Sequence, residues 1–303
     1  MRFFFLFFLL EFSNAYSSKI VGLVPSRNEE NIIAQCLESL SYFTDAIVFL
    51  DDASTDDTVK IVEGVSQKFN VEKIIKKEKW YRDEPGDRNK LLNEGRRIGG
   101  THFIVIDADE ILTANFLEND FLKNKILSLN RGDMLILKWI QLWRSVDNFR
   151  DDDSVWSKGF VNCIFCDDGC CSYSSEFIHT PRSPGNLKGK KIHIRGKNYG
   201  LMHFQFVNWE NLLIKQAWYR GLELIRFPKK SPRYINLKYK ASKNEENLKT
   251  SPVKKEWFRG YSNFNKDIYL LPERWRKAQI LSWFDKYGKS FFKKLDIWDI
   301  NWS

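Results

Sequence analysis

The tetrad Asp107-Ala108-Asp109-Glu110 stands where the apolar run Phe103-Ile104-Val105-Ile106 stops. That run is uninterrupted and rich in β-branched residues, as in a strand buried on both faces. Side chains alternate along a strand, so its continuation would put Asp107 and Asp109 on one face with the small Ala108 between them. Two hard oxygen ligands at the C-terminal end of a strand suit Mg2+ or Mn2+, and a cation held there can also bind a diphosphate. Ligands of open α/β sheets gather at that end of the strands. The bare pattern also occurs in solvated turns, so the elements that precede it carry the argument.

Two earlier apolar runs end in polar loops in the same way. Lys19-Ile20-Val21-Gly22-Leu23-Val24 leads into Pro25-Ser26-Arg27-Asn28-Glu29-Glu30, and Ala46-Ile47-Val48-Phe49-Leu50 leads into Asp51-Asp52-Ala53-Ser54-Thr55-Asp56-Asp57. Ser26 and Glu29 have the spacing of a capping box, followed by Ile32, Ile33, Cys36, Leu37 and Leu40 at helical spacing. Ser54 or Thr55 is placed to cap a second helix with an acidic first turn, its apolar residues being Val59, Ile61, Val62 and Val65. A short strand, Val71 to Ile75, and another helix precede the tetrad strand. Alternating strands and helices predict an α/β fold: a Rossmann-like, mostly parallel sheet flanked by helices.

Val24-Pro25-Ser26-Arg27-Asn28-Glu29, Leu50-Asp51-Asp52-Ala53-Ser54-Thr55-Asp56, Asn89 to Gly95 and Ile106-Asp107-Ala108-Asp109-Glu110 occur in the order and spacing of a known family. Over roughly its first third the chain resembles the family-2 glycosyltransferases, which use the A-type nucleotide-diphospho-sugar fold. A subgroup that builds bacterial surface polysaccharides is the most similar, because it carries Asp-Ala-Asp-Glu and a later His-aromatic pair like His203-Phe204. The resemblance implies transfer of a sugar, with inversion, from a nucleotide-diphospho-sugar (UDP-linked by default) to a saccharide or glycolipid acceptor. It implies Pro25, Arg27 and Glu29 around the nucleotide, and Asp51 or Asp52 accepting hydrogen bonds from base or ribose. Arg88, or Lys90, would add charge at the phosphates, and Mn2+ or Mg2+ would sit on Asp107 and Asp109 with His203 as a further ligand. The acceptor half should supply a carboxylate base. Glu176 is the candidate, with Asp153, Asp168 and His179 as competitors, while His102 and His193 look structural.

Other classes fit less well. A nucleotidyltransferase would carry a Gly-rich phosphate loop, yet Val21 to Glu30 has only Gly22. A dehydrogenase would show G-x-G-x-x-G after the first strand. A non-catalytic carbohydrate- or membrane-binding protein would have shed the carboxylates.

The 303 residues suffice for one large domain with an appendage, and 43% hydrophobic content is ordinary for a globular chain. The expected division is a hydrophobic N-terminal segment, 1–17; a transferase domain, 18–225, with a nucleotide-sugar half (18–110) and an acceptor half (111–225); and a basic, aromatic C-terminal extension, 226–303. The net charge of +9 is concentrated in that extension. No nucleic-acid motif accompanies it, so nucleic acid is not an expected partner, whereas peripheral membrane association is compatible with it. Met1-Arg2, the apolar octet Phe3 to Leu10 and Ser13-Asn14-Ala15 have the form of a short signal peptide, too short to span a bilayer. A cytosolic nucleotide-sugar donor argues for a cytoplasmic, membrane-associated enzyme; the signal-like segment keeps a secretory-pathway location open.

Cys163, Cys166, Cys170 and Cys171 lie close together, but adjacent cysteines rarely share one zinc, and reduced thiols are the simpler reading. Met134 to Trp143 reads as a long strand and Asp167-Asp168-Gly169 as a hairpin turn. Trp209 to Arg226 reads as an amphipathic helix and 228–256 as a charged loop. The tail from Pro272 reads as helical, and it could pack over the acceptor site or lie on a membrane interface.

Overall fold

The structure, a computed structural model, describes residues 18–174, 180–196, 199–261 and 274–302. The expected N-terminal segment, 1–17, lies outside these, as do Glu176 and His179. The strands are β1 (Ile20–Ser26), β2 (Ala46–Asp51), β3 (Val71–Lys76), β4 (His102–Val105), β5 (Glu110–Leu112), β6 (Met134–Gln141), β7 (Asn148–Arg150), β8 (Phe160–Cys166), β9 (Lys191–His193), β10 (Leu201–His203) and β11 (Thr250–Pro252). The α-helices are α1 (Ile33–Ser41), α2 (Thr58–Val65), α3 (Glu84–Arg97), α4 (Phe121–Leu127), α5 (Trp209–Arg226), α6 (Pro232–Lys240) and α7 (Trp275–Tyr287).

One sheet runs β3-β2-β1-β4-β8-β6-β10-β5, with β9 also paired to β6. The β3-β2-β1-β4 ladders are all parallel, as are β6-β10 and β6-β9; β8 runs antiparallel to β4 and β6, and β5 to β10. The mostly parallel sheet expected from the sequence is therefore present, with antiparallel strands confined to its second half. β1, β2 and β4 are buried on both faces, while β3 forms a partly exposed edge. Val24, Ile47 and Ile104 pack with Ile33 and Leu37 of α1 and Val62 of α2, while Val21, Leu23, Val48 and Phe103 pack with Leu91 and Leu92 of α3. Gly22 lets α1 close onto the sheet, since a Cβ there would come within 2.4 Å of Leu40 Cδ2.

Several local expectations give way. The tetrad is not a continuation of β4: the Glu110 N–H donates to the Asp107 carbonyl (3.0 Å) and the Asp107 N–H to Glu110 Oε2 (2.9 Å), closing a turn between β4 and β5. No capping box forms, because Ser26 stays on β1 and α1 starts only at Ile33. The Asn28 N–H donates instead to Ser54 Oγ and the Glu29 N–H to Thr58 Oγ1, both at 2.8 Å, so the loops after β1 and β2 satisfy each other. Neither Ser54 nor Thr55 caps α2; its N-cap is Asp57, and Asp56 Oδ1 accepts the Thr58 N–H at 3.0 Å. Asp167-Asp168-Gly169 does not return the chain as a hairpin, since the next strand, β9, pairs with β6.

Segment 228–256 is no plain loop. Pro232 opens α6 at the first helical position, where its missing N–H costs nothing, and Ser251-Pro252 lies on β11, paired with β7. α5, α6 and α7 bury an apolar cluster of their own that includes Trp218, Leu224, Ile235, Ile280, Phe284 and Phe292. The helical C-terminal layer thus begins with α5. All five cysteines are free thiols. Among the described residues no helix is long and apolar enough to cross a membrane.

Candidate active site

The turn after β4 delivers its carboxylates to different partners. Asp107 Oδ1 accepts from Arg88 (2.9 Å) and Oδ2 from Arg182 (2.7 Å). Glu110 is fully buried and accepts from Trp139 Nε1 (2.8 Å) and twice from Arg182, at 2.5 and 2.9 Å. Burial raises the Glu110 carboxyl, with Arg182 opposing; burial also works against ionised Asp107, but Arg182 and Arg88 outweigh it and hold that group below its ordinary value.

Asp109 turns elsewhere. Its Oδ2 lies 3.1 Å from Lys215 Nζ and 3.4 Å from His203 Nε2. Burial would raise this carboxyl; the Lys215 ammonium and His203 win and hold it well below the carboxylate range. His203 stacks on Trp139 with ring centroids 4.8 Å apart, and its Nδ1 lies 2.9 Å from Gln141 Oε1. A carboxamide oxygen only accepts, so Nδ1 carries a proton; Nε2 faces Asp109, donating to it when the ring is protonated and offering a lone pair when it is neutral. The register pairs His203 with Gln141 on β6 and with Glu110 on β5, which fixes the ring's position.

With the ring neutral, the imidazole nitrogen and an Asp109 oxygen are a donor pair of the kind that suits Mn2+ or Mg2+, the Gln141 contact orienting the imidazole as partners of metal-bound histidines do, while Lys215 already engages Asp109 Oδ2. Asp107, expected beside them, has both oxygens committed to arginines. A cluster of three potential ligands does exist among the described residues at Asp167, Asp168 and Cys171, but Arg96 grips Asp167 through two hydrogen bonds and Asp168 accepts the Cys170 and Cys171 N–H groups.

A cavity of about 660 Å³ opens over these residues, lined among others by Pro25, Arg27, Asp52, Asp107, Asp109 and His203. A neighbouring cavity of about 720 Å³ shares Glu29, Asp109, Gln205, Lys215 and Arg276 with it. Of the paired aspartates, Asp52 lines the first cavity, whereas Asp51 is buried and accepts the Ser54 N–H (3.0 Å) within its own loop. Asp52 pairs with Lys77 at 2.5 Å, and Lys77 bridges on to Asp87 at 2.8 Å. Burial nevertheless lifts the Asp52 carboxyl to about 6. Arg27 donates to the Asp52 and Ala53 carbonyls and lies between the rings of Trp80 (5.2 Å) and Trp275 (5.0 Å). Arg88 lies on α3 and is buried at the cavity wall, and its Nε and Nη1 are shielded from solvent without a hydrogen-bond partner. Lys90 points instead to Tyr81 and Asp87.

Glu176 lies outside the described residues; Thr180, shortly after it, lines the cavity. Asp153 is exposed beside Lys158, and Asp168 is spent on its own turn. Arg182, Lys215, Lys77, Trp139 and Arg276 went unrecognised from sequence. Lys215 alone carried a signal, since it falls three residues after Leu212 in the buried stripe of α5.

Residues 23–119 match the family described as Glycosyl transferase family 2. Over that stretch, about a third of its length, the chain is similar to the family 2 glycosyltransferases. A relative from Methanococcus voltae, dolichyl N-acetyl-alpha-D-glucosaminyl phosphate 3-beta-D-2,3-diacetamido-2,3-dideoxy-beta-D-glucuronosyltransferase, is 32% identical over 117 residues, or 36% of this chain and 33% of that protein. The match thus spans about a third of the relative's length. Among solved structures, Staphylococcus aureus TarS (residues 1–349, with UDP) is 18% identical over 65% of this chain and 63% of that one, with a TM-score of 0.44. The Pyrobaculum calidifontis mannosyltransferase PcManGT, with GDP-Man and Mn2+, is 23% identical over 34% of this chain and 30% of that one, with a TM-score of 0.28. The matched residues run from within β1 through β5 and contain the whole Asp107–Glu110 turn.

Proposed function

We propose that this protein transfers a glycosyl group, with inversion and cation assistance, from a nucleotide-diphospho-sugar, UDP-linked by default, to a saccharide or lipid-linked acceptor. The observation that carries this reading is the convergence of Asp109, His203 and Lys215 on one cavity wall at the C-terminal ends of β1 and β4, beside Arg27 and Asp52. The Methanococcus voltae relative, by its name, acts on a dolichyl-phosphate-linked sugar, which supports the lipid-linked class of acceptor.

In this reading Asp52 accepts from the base or ribose, with Pro25, Arg27 and Glu29 shaping the pocket. Asp109 and His203 would hold Mn2+ or Mg2+, which would neutralise charge developing on the departing diphosphate. The Arg88 guanidinium, held by Asp107, would add positive charge beside the same phosphates. An acceptor hydroxyl oxygen forms the new bond to the anomeric carbon as the bond from that carbon to the diphosphate oxygen breaks; the nucleoside diphosphate leaves with the electron pair. The hydroxyl proton passes to a carboxylate, for which Glu176 is the candidate.

Turnover of UDP- and GDP-sugars, with the anomeric configuration of the product read by NMR, tests this. Inversion is expected. Glu176→Gln should lower turnover about 100-fold or more while nucleotide binding survives. Retention of configuration, or unchanged turnover in the variant, would contradict the assignment.

A further inference from the structure

The outer face of α6 is basic and carries exposed apolar side chains. Residues 226–243 contain seven Lys or Arg and no Asp or Glu, and residues 286–294 contain four and none. The two segments meet: Asn236, in the middle of α6, donates to the Lys294 carbonyl (3.0 Å) and accepts the Asp296 N–H (2.9 Å). Some of these cations are occupied, since Lys230 and Lys238 reach Glu223 and Lys243 reaches Asp296 and Asp299. Lys229, Arg233, Lys240, Lys289, Lys293 and Lys294 are exposed and form no ion pair among the described residues. Between them stand apolar side chains in water. Tyr234 and Leu237, three residues apart on one helix face, are each 59% exposed, while Tyr287 and Phe291 are exposed and stack on each other at 5.6 Å.

We propose that this face docks on an anionic membrane surface. Cations alone would serve any polyanion. An exposed Leu and Tyr gain nothing from a soluble polyanion, yet both lose water contact at the boundary of headgroups and acyl chains, where the cations also find their counter-charge. The same segment reaches the site on its other side: Lys238 and Tyr239 of α6, and Ser242 just after it, line the 660 Å³ cavity, with Tyr239 donating to Glu223 of α5 at 2.6 Å. One helix would thus bring the donor cavity to the bilayer plane. The value of that arrangement rests on the lipid-linked acceptor reading above; the surface itself does not.

The test is flotation of the full chain with vesicles of phosphatidylcholine alone and of equal parts phosphatidylcholine and phosphatidylglycerol, with UDP binding measured on the same preparations. Partition should require phosphatidylglycerol and weaken with salt. Tyr234→Ser with Leu237→Ser should weaken it about tenfold, and Arg233→Gln with Lys240→Gln and Lys294→Gln roughly a hundredfold. Both variants should bind UDP as before. Because the charge variant changes only exposed side chains, it remains informative if the apolar one misfolds. Partition that is indifferent to phosphatidylglycerol, or equal in wild type and either folded variant, would overturn the proposal, as would binding to heparin or duplex DNA without binding to vesicles. Failure of the donor reading would appear separately, as absent UDP binding with vesicle partition intact.

Discussion

The β1–β4 half and the α5–α7 layer build opposite walls of one site by different means. In the β1–β4 half, short loops at strand ends hold one another through backbone-to-side-chain hydrogen bonds: Asn28 to Ser54, Glu29 to Thr58 and Asp107 to Glu110. Its carboxylates are placed locally, by turns. The α5–α7 layer adds further charge and a ring: Lys215 on Asp109, Arg276 at the junction of the two cavities, and Trp275 against Arg27. Its contributions depend on three helices packing over the sheet edge around Trp218, whose ring meets Trp80, Tyr219, Trp275 and Trp283. Carboxylates fixed by local turns therefore meet Lys215 and Arg276, which long-range packing brings to the same cavities.

The contrast is broken most severely at Glu110, where the two means meet. Glu110→Ala removes the partner that the buried Arg182 grips with two groups and leaves Trp139 Nε1 without its acceptor. A loss of about 3–5 kcal/mol is expected in urea unfolding; a change under about 1 kcal/mol would mean the turn is not held as described. Trp218→Ala attacks the helical layer alone. It should cost about 3 kcal/mol and also weaken nucleotide binding, because Trp218 packs against both rings that sandwich Arg27. Unaltered nucleotide affinity in the folded variant would separate the two walls.

Asp52 sharpens the comparison through pH. Burial raises its carboxyl from the ordinary value to about 6, against the pull of Lys77. For such a group the folded protein takes up its proton before the unfolded chain does, so its contribution to stability grows as pH falls through 6 toward the ordinary value. Nucleotide affinity should move the other way, weakening over the same interval as the charged acceptor is lost. Titrations across that range should show the fall in wild type and a flat profile in Asp52→Asn; a wild-type profile that is flat there would remove Asp52 from the nucleotide site. The smallest effect belongs to the exposed pair Lys76–Glu63, whose removal should change stability by less than about 1 kcal/mol, since water screens it.

What the sequence made legible was the part encoded by short-range pattern. The buried runs of β1, β2 and β4, the acidic loops that follow them and the helix Trp209–Arg226 could be read because period and composition mark them. The turn at the tetrad could not, because it depends on the Glu110 side chain reaching back to the Asp107 N–H rather than on propensity. Arg182 lies in a Pro- and Gly-containing loop that carries no sign of its long-range role, and it reaches Asp107 across 75 positions; Lys215 reaches Asp109 across 106. α6 was hidden by its Ser-Pro opening, which marks a helix start as readily as a turn.

The central claim is that Asp109, with His203, makes a cation-dependent nucleotide site. Calorimetric titration with UDP and GDP, each with and without Mn2+, on wild type and on Asp109→Asn tests it most directly, since Asn keeps the shape of the side chain while removing its charge. The account predicts that one nucleotide binds wild type tightly only with Mn2+, and that the variant loses the Mn2+ dependence with at least about a tenfold drop in affinity, ~1.4 kcal/mol. Folded wild-type protein that binds neither nucleotide, or a variant that keeps full Mn2+-dependent binding, would contradict it.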